Sequence, residues 1–453
     1  MKLKDILSFC NGTLIGDFDL NTEINKFSID SRVVSENSFF IPLKGENSDG
    51  HDFIRSAFDN GAIGTFASED VENVPGKIII KVSDTLKALQ DICKNFRIAN
   101  REIPLIAITG SVGKTTTKDM IYSVLSKKFN TLKTKGNFNN NIGMPLTMIN
   151  FDNEDIIVLE MGMSHFGEIS FLSNIAKPDV AIITNVGHSH IGNLGSRENI
   201  LKAKLEILDG MNEDGILIIN SDNDMLATVR DIKQKVITFG FENDADFFAY
   251  NINVGNDSTS FNIKEDGNEY FIKLNLIGEK FIYNALAAWV IGKLYGVPAE
   301  SRIDALEDCE FTKMRMSIKN VNDMILIDDC YNASPESMNL ALEALSKQDA
   351  KRRIAVLGDM LELGEYSPKL HEKVGRCVAS HNINKLFVTG EFSSNIKSGA
   401  INAGMKEDDI ISFSNTDEIA NRIKNYLEAG DAVLVKASRG MKFEKIVRKI
   451  EEI

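Results

Sequence analysis

The sequence predicts an α/β protein of three domains: a small N-terminal α/β domain, a central domain with a parallel sheet, and a C-terminal Rossmann-like domain. Three observations lead to this class. The 453 residues exceed what a single hydrophobic core ordinarily holds. From residue 105 onward, short apolar runs alternate with segments of helical periodicity, as in parallel sheets that helices cover on both faces. These runs end in glycine or polar residues, and ligands of such sheets bind beyond the carboxyl ends of the strands.

The N-terminal domain is predicted to span residues 1–100. Residues 1–7 have the pattern of an amphipathic helix start, and residues 84–100 have that of a longer helix. Pro104 disfavours helix in the residue before it, so the polar segment 99–104 is predicted to be a linker. Short strands are predicted at residues 38–42, 64–67 and 77–82.

The central domain is predicted to span residues 101–312 and the C-terminal domain residues 313–453. Their apolar runs show little alternation, which indicates parallel strands that are buried on both faces. A more polar, strand-rich insert is predicted at residues 245–276, followed by a helix at 284–295. The main strands are predicted at residues 105–109, 156–159, 180–184 and 214–220, and then at 324–328, 353–358, 385–390 and 431–436.

The composition is that of a soluble globular protein, with 43% hydrophobic and 26% charged residues. A net charge of −14 argues against a general nucleic-acid binder, whose surface would be basic. The five cysteines form no Cys-x-x-Cys pair, which is typical of reduced thiols in the cytoplasm. The sequence shows no secretion signal and no apolar run of the roughly 20 residues that a membrane span needs. We therefore expect a cytoplasmic protein without a membrane span.

A phosphate-binding loop is the most specific motif and makes the central domain a P-loop domain. The strand at 105–109 runs into Gly-Ser-Val-Gly-Lys-Thr, and a helical segment follows at 117–127. Glycines let successive N–H groups point at phosphate oxygens, and the helix N-terminus adds its positive end. A coincidental glycine turn is the alternative, but the order strand, loop, helix favours ATP or GTP binding. The predicted nucleotide-binding residues are Gly110, Ser111, Val112, Gly113, Lys114, Thr115 and Thr116.

Two other strand ends of the central domain carry polar residues. Glu160 follows the strand at 156–159, where a carboxylate is well placed to hold Mg²⁺, although a helix cap or a solvated acid is the alternative. His188 and His190 follow the strand at 180–184. A histidine in a loop is more often a surface residue. However, these histidines are predicted at the same edge of the sheet as Lys114. We therefore expect a histidine of this pair at the same site.

The C-terminal strand ends show a similar pattern. Asp329 could accept hydrogen bonds from ribose hydroxyls, with Tyr331 and Asn332 beside it, although an Asx turn would explain this segment equally well. At the end of the last strand, Lys436 and Arg439 are predicted to converge near Gly440, and such cations suit recognition of a carboxylate or a phosphate.

Six segments along the chain form a recognisable set: Asp30-Ser-Arg32, Asp49-Gly-His-Asp-Phe53, Thr109 to Thr116, Lys135 to Thr147, Leu357 to Gly364 and Val435 to Met441. Together they resemble the Mur ligase family, the ATP-dependent amide-forming enzymes of peptidoglycan precursor synthesis. The resemblance covers essentially the whole chain and is strongest to the group that joins D-Ala-D-Ala to UDP-MurNAc-tripeptide. It implies an acyl-phosphate intermediate, ATP and Mg²⁺ as cofactors, no nucleic-acid partner and a monomer.

The resemblance also implies roles for individual residues. Lys114, Lys204, His190 and Arg439 would take part in catalysis, and Lys204 would carry a carbamate, although the helix around it otherwise indicates a solvated lysine. Further nucleotide contacts would be Asn284 to adenine, Arg315 to phosphate and Asp329 to ribose. The implied Mg²⁺ ligands are Thr115, Glu160, His190 and Lys204. The implied substrate-binding residues are Ser31, Arg32, Asn139, Asn140, Tyr331, Asn332 and Lys436.

The chain departs from the family pattern at two places. Lys280-Phe281 stands where the family commonly has His-Asn, and Gly192 stands where an acidic residue often follows the histidine. Two alternatives to this function remain open. One is a ligase of the same superfamily that adds a different amino acid, and the other is a nucleotide-dependent switch without ligase activity.

Overall fold

A computed structural model describes residues 1–255, 257–312, 314 and 316–452. Within this part of the chain the strands form three sheets, one after another along the sequence, and helices cover them. The predicted α/β class of three domains is confirmed. No helix among the described residues is long and apolar enough to cross a membrane.

The N-terminal sheet has the strand order β1-β5-β4-β3-β2, with β1 antiparallel to β5 and the other neighbours parallel. All three strands predicted here are present, and the long predicted helix begins after Asp84, which accepts a hydrogen bond from the Lys87 amide. The strands are β1 Thr13–Ile15, β2 Lys26–Ser28, β3 Ser38–Phe40, β4 Gly64–Ala67 and β5 Ile78–Lys81. The helices are α1 Leu3–Cys10, α2 Ile54–Asp59 and α3 Thr85–Ala99.

The central sheet has the order β14-β13-β12-β11-β10-β9-β6-β8-β7. It is parallel from β7 to β12, and the predicted strand-rich insert adds β13 and β14 as an antiparallel extension. The strands are β6 Leu105–Thr109, β7 Thr131–Lys133, β8 Ile156–Glu160, β9 Val180–Ile183, β10 Ile216–Asn220, β11 Lys235–Gly240, β12 Phe247–Val254, β13 Thr259–Glu265 and β14 Asn268–Leu274. The helices are α4 Lys114–Leu125, α5 Gly143–Ile149, α6 Glu168–Ala176, α7 Ile191–Leu194, α8 Arg197–Leu205, α9 Lys280–Leu294 and α10 Ala299–Glu307.

The C-terminal sheet has the order β15-β16-β20-β17-β18-β19, parallel except for the pair β15–β16. All four strands predicted for this domain are present. The strands are β15 Ser317–Val321, β16 Met324–Asp328, β17 Arg352–Leu357, β18 Lys385–Val388, β19 Ile410–Ser412 and β20 Asp431–Lys436. The helices are α11 Pro335–Ser346, α12 Ser367–Ser380, α13 Ser393–Asn402, α14 Thr416–Arg422 and α15 Glu444–Glu451.

The register of the central sheet places the candidate residues at one edge. Ile108 of β6 lies opposite both Glu160 of β8 and Ile182 of β9, so these strands end at the same level. All residues of β6, β8 and β9 are buried, as their unbroken apolar runs predict. Glu160 is the last residue of β8 and does not follow the strand, because Ile108 of β6 pairs with it. The helix after the phosphate loop begins at Lys114, three residues earlier than predicted.

Candidate active site

A cleft of about 860 Å³ runs between the central and C-terminal sheets. The phosphate loop and residues 137–141 line its central-domain side, and residues 329–334 line its C-terminal side. Its lining also includes the apolar residues Leu276, Phe281, Phe311 and Met316, together with Lys280 and Asn284. The cleft therefore brings together strand ends that are more than 200 residues apart in sequence.

The phosphate loop is held in shape by the residues that follow β9. Asn185 accepts a hydrogen bond from the Val112 amide (2.9 Å) and donates one to the Val112 carbonyl (2.8 Å). The Thr184 hydroxyl donates to the same carbonyl at 2.7 Å. Gly113 has φ +86°, and a Cβ there would lie 2.7 Å from the Asn284 side chain, so this position requires glycine. The loop is thus fixed before any ligand enters.

Lys114 and Asn284 lie against the loop and line the cleft. The Lys114 ammonium donates to the Gly110 carbonyl at 2.7 Å, from the first residue of α4. The Asn284 amide donates to the Thr117 hydroxyl at 2.8 Å, which ties α9 to α4. Thr116 also lines the cleft. The structure therefore brings the predicted nucleotide residues of the central domain together.

Glu160 is a buried carboxylate whose hydrogen-bond partners are neutral. One carboxylate oxygen accepts from the Thr115 hydroxyl and the other from the Asn139 amide, each at 2.9 Å. The side chain is 1% exposed, and among the described residues no cation pairs with it. A charged group is costly to bury without an opposite charge, so this position suits a metal ion.

Lys204 is buried although its helix was expected to present it to solvent. It is 1% exposed and its ammonium has no hydrogen bond or ion pair within the described part of the chain. Burial lowers the pKa of Lys204 well below its usual value, and the charge of Lys114 lowers it further. The side chain is therefore biased toward the neutral amine.

The two histidines after β9 pair with glutamates of the C-terminal domain. The His188 ring contacts Glu336 at 2.6 Å, and the His188 amide donates to the same oxygen at 3.1 Å. The His190 ring contacts the Glu362 carboxylate through Nδ1. Burial raises the pKa of Glu336, but the hydrogen bond from the His188 ring, hydrogen bonds from backbone amides and the charge of His188 together leave that pKa lowered. The hydrogen bond from His190 lowers the pKa of Glu362.

Asp329 and Lys436 form a buried ion pair at the C-terminal side of the cleft. The Lys436 ammonium lies 2.5 Å from Asp329 Oδ2 and also donates to the Asn332 carbonyl at 2.9 Å. Asp329 Oδ1 accepts from the Met316 amide at 3.1 Å. Tyr331 and Asn332 line the cleft beside this pair, and Asn139 and Asn140 line the opposite side.

Some predicted residues lie away from the cleft. Arg439 is exposed, lies 3.6 Å from Glu444 and does not line the cleft. Lys436 lines the cleft, whereas Arg439 lies in the short turn Arg439–Met441 beyond β20, where its guanidinium is 4.0 Å from Met314 Sδ. Ser31 is buried and Arg32 is exposed in the N-terminal domain, where hydrogen bonds from Arg32 lower the pKa of Asp30 to about 2. Arg315 lies outside the described residues.

Sequence reasoning missed the residues that support the site. Thr184 and Asn185 follow β9 directly, so their position at a strand end was a signal for contact with the neighbouring loop. Glu336 follows Pro335 at the start of α11 and resembles an ordinary acid in the first helical turn. Glu362 lies in a segment used only for the family resemblance. The pairing of both glutamates with histidines across domains had no signal in the sequence.

Comparison with known proteins agrees with this geometry. Three family models match in order: "Mur ligase family, catalytic domain" over residues 23–97, "Mur ligase middle domain" over 108–292, and "Mur ligase, glutamate ligase domain" over 314–439. The UDP-N-acetylmuramoyl-tripeptide–D-alanyl-D-alanine ligase of Bacillus subtilis is 38% identical over 99% of this chain and 98% of its own length. A crystal structure of MurF from Acinetobacter baumannii is 30% identical with a TM-score of 0.88 and covers 100% of this chain and 99% of that one. MurF ligase from Thermotoga maritima in complex with ADP is 29% identical with a TM-score of 0.79, covering 95% and 97%.

Proposed function

The chain belongs to the Mur ligase family, and we propose that it joins D-Ala-D-Ala to UDP-MurNAc-tripeptide with the hydrolysis of ATP. This reaction gives UDP-MurNAc-pentapeptide for peptidoglycan synthesis. The observation that carries the proposal is the full-length match to ligases of this name, together with a cleft that collects residues of two domains. A ligase needs nucleotide, acid and amine in one place, and such a cleft can hold all three.

The phosphate loop and the start of α4 would bind the ATP phosphates. The loop amides and the helix N-terminus favour anions, and Lys114 lies close enough to exchange the Gly110 carbonyl for a phosphate oxygen. The adenine would lie against the apolar part of the lining that includes Phe281, next to Asn284. Asp329 would accept from the ribose hydroxyls, and Arg315 would contact a phosphate. An apolar surface suits an aromatic base. Phe281 contributes to this surface and belongs to the pair Lys280-Phe281, which stands where the family commonly has His-Asn.

Mg²⁺ would be held by Thr115, Glu160, His190 and a carbamate on Lys204. The buried Glu160 carboxylate, bonded to neutral donors, and the oxygen of Thr115 fit the oxygen ligands that Mg²⁺ prefers. When bound, the ion neutralises phosphate charge and draws electron density from the transferred phosphoryl group. The hydrogen bonds from Thr115 and Asn139 hold the Glu160 carboxylate in place before the substrates bind.

Lys204 is suited to carbamate formation because its lowered pKa leaves a neutral amine. That amine would attack CO₂, and the loss of one proton would leave a carbamate anion. An ammonium next to Lys114 would repel Mg²⁺, whereas the carbamate would bind it. The modification would therefore reverse the charge at this buried position.

The reaction would proceed in two steps on residues of this cleft. The tripeptide carboxylate attacks the γ-phosphorus of ATP, which gives an acyl phosphate and ADP. The amine of D-Ala-D-Ala then attacks the acyl carbon, and phosphate leaves. Lys114 would stabilise charge on the phosphoryl oxygens, while Asn139, Asn140, Tyr331 and Asn332 would orient the two substrates.

The N-terminal domain would hold the UDP part of the substrate through Ser31 and Arg32. Lys436 would lie near the incoming dipeptide, and Arg439 would reach the reacting groups only after a movement of its turn.

We propose domain limits of 1–100, 101–312 and 313–453. We also propose that the protein works as a cytoplasmic monomer, because one chain supplies all parts of the cleft.

A panel of amines tests this proposal. Phosphate release would be measured with MgATP and UDP-MurNAc-tripeptide, alone and with D-Ala-D-Ala, L-lysine, meso-diaminopimelate or L-glutamate. We expect stimulation by D-Ala-D-Ala. Stimulation by another amine alone would indicate a different ligase of the superfamily, and slow release indifferent to every amine would support the nucleotide-dependent switch.

A further inference from the structure

A short segment of the C-terminal domain, residues 362–366, lies directly against the loop that carries His190. The Glu362 carboxylate accepts a hydrogen bond from His190 Nδ1. The His190 side chain is 22% exposed and the Glu362 side chain 50% exposed. His190 is one of the proposed Mg²⁺ ligands, whereas Glu362 has no role in the proposed reaction.

Both residues of this pair have an uncommon backbone conformation. His190 has φ +65° and Glu362 has φ +64°, in the left-handed region that residues with a Cβ seldom adopt. Such conformations persist where surrounding contacts hold them, and they are frequent at functional sites. Two of them meeting across a domain boundary indicate that this contact is built into the fold.

Two hydrogen bonds and the close packing of Gly192 fix how closely the two segments approach. The Gly192 amide donates to the Glu362 carbonyl at 3.1 Å, and the Tyr366 hydroxyl donates to the Gly195 carbonyl at 2.7 Å. A Cβ on Gly192 would lie 2.5 Å from the Gly364 nitrogen and 2.8 Å from the Glu362 carbonyl oxygen. Those atoms are backbone and cannot turn away, so the approach requires glycine at position 192.

We infer that Glu362 is a positioning residue that orients His190 for Mg²⁺ from the other domain; this rests on the role given to His190 in the proposed function. A histidine that binds a metal through one ring nitrogen commonly donates its other N–H to a carboxylate, which fixes the tautomer and the ring plane. With Nδ1–H held by Glu362, the lone pair of Nε2 is available to a metal.

The carboxylate comes from across the domain boundary because the histidine's own loop does not provide it. The residue two positions after His190 is Gly192, which has no side chain. That glycine in turn allows the segment 362–366 to dock. Orientation of His190 is therefore coupled to docking of the C-terminal domain on the central one.

Binding of Mn²⁺ to the full-length protein with a non-hydrolysable ATP analogue tests this inference. Glu362→Ala is expected to weaken Mn²⁺ binding about 10- to 100-fold, the range found for carboxylates behind metal-bound histidines. Glu362→Gln keeps an acceptor oxygen and should lose less. Gly192→Ala keeps the carboxylate but pushes the segment away, so it should weaken binding as Glu362→Ala does.

Glu365→Ala is the matched control, because Glu365 is an exposed acid of the same segment with no contact to His190. It should bind Mn²⁺ as the wild type does. Thermal unfolding of each variant shows whether it is folded. If Gly192→Ala does not fold, the Mn²⁺ binding of Glu362→Ala tests the inference by itself.

Two results would overturn the inference. Wild-type Mn²⁺ binding by Glu362→Ala, with binding weakened in His190→Ala, would remove Glu362 from the site and leave His190 there. Wild-type Mn²⁺ binding by His190→Ala would show that neither His190 nor Glu362 belongs to the metal site. The ligase reaction is measured separately by product formation, so neither result would be confused with failure of the proposed reaction.

Discussion

The burial of Lys204 could be inferred from the sequence only in part. It follows Leu201 by three residues, so the helix places it on the face that packs inward. Lys202 is two residues earlier, about 200° away around the helix, and is exposed. The leucine spacing therefore contained the evidence for burial, but the usual preference of lysine for solvent pointed the other way. The sequence could not indicate that this lysine lies next to Lys114.

The carbamate assignment predicts a specific rescue. Lys204→Ala should lose ligase activity by at least about 100-fold, because a ligand and a charge are removed from the metal site. Added short carboxylates such as formate or acetate should restore part of it by entering the space left by the side chain. Steady-state phosphate release measures both effects.

Lys202→Ala is the control for this experiment, since it removes a lysine from the exposed face of the same helix. It should retain wild-type activity and respond to no carboxylate. Full activity of Lys204→Ala without any added carboxylate would refute the carbamate.

Lys114 is expected to act on the phosphates rather than on the fold. Lys114→Ala should reduce turnover by about 10²–10³-fold, the loss typical of a missing donor at developing charge. The midpoint of thermal unfolding should stay close to that of the wild type. Lys127→Ala, at an exposed position just beyond α4, should change neither quantity. Near-wild-type ADP release from folded Lys114→Ala would contradict the assignment of the nucleotide site.

At the scale of elements, the long buried strands were predictable and the short ones were not. β16 and β20 have the predicted bounds because their apolar runs end in charged residues. β7 has only three residues, Thr131–Lys133, and exists because it pairs with the edge of β8. β15 and β19 are likewise defined by their neighbours in the sheet. Such pairing depends on tertiary contacts that no local pattern carries.

The start of helix α3 offers a test of capping. Asp84→Ala removes the acceptor of the Lys87 amide at the helix start and should lower the free energy of unfolding by about 1 kcal/mol. Urea unfolding measures this change. Lys94→Ala, on the exposed face of the same helix, should have almost no effect. An unchanged free energy of unfolding in Asp84→Ala would contradict the capping role.

His371, the fifth residue of α12, predicts a pH dependence of stability. It is fully buried, accepts from the Met360 amide at 2.8 Å through Nε2, and donates to the Ser367 carbonyl at 2.7 Å through Nδ1. Burial lowers its pKa below the ordinary 6.5. Protonation would place an N–H against the Met360 N–H. The folded protein therefore binds fewer protons than the unfolded chain, and the stability that neutral His371 contributes is present above pH 6.5 and lost below it.

Unfolding free energies measured between pH 8 and pH 5 would check this sign. The difference between the wild type and His371→Gln should be largest at high pH and shrink as the pH falls below about 6.5. His165→Gln, at an exposed histidine, serves as the control for general effects of pH. A difference that grows toward low pH would contradict the buried neutral form.

At the scale of the whole molecule, the order of the domains was predictable but their contacts were not. Motif order along the chain gave the three-domain α/β class and the residues of each strand end. The cleft, however, joins Glu160 and His190 to Asp329, and His190 also contacts Glu362. No periodicity relates residues so far apart. Arg439 was expected to converge with Lys436, but Lys436 lines the cleft and Arg439 does not. Relative placement of domains is decided by packing that a single sequence does not display.

Mass analysis of products made from tripeptide substrate labelled with ¹⁸O in its terminal carboxylate tests the central claim most directly. Activation by ATP transfers one of these oxygens to the departing phosphate, and the other stays in the new amide carbonyl. With MgATP and D-Ala-D-Ala we predict a UDP-MurNAc-pentapeptide that keeps one ¹⁸O and released phosphate that carries the other. Unlabelled phosphate without pentapeptide would contradict the account, because it would show ATP hydrolysis that is not coupled to the carboxylate.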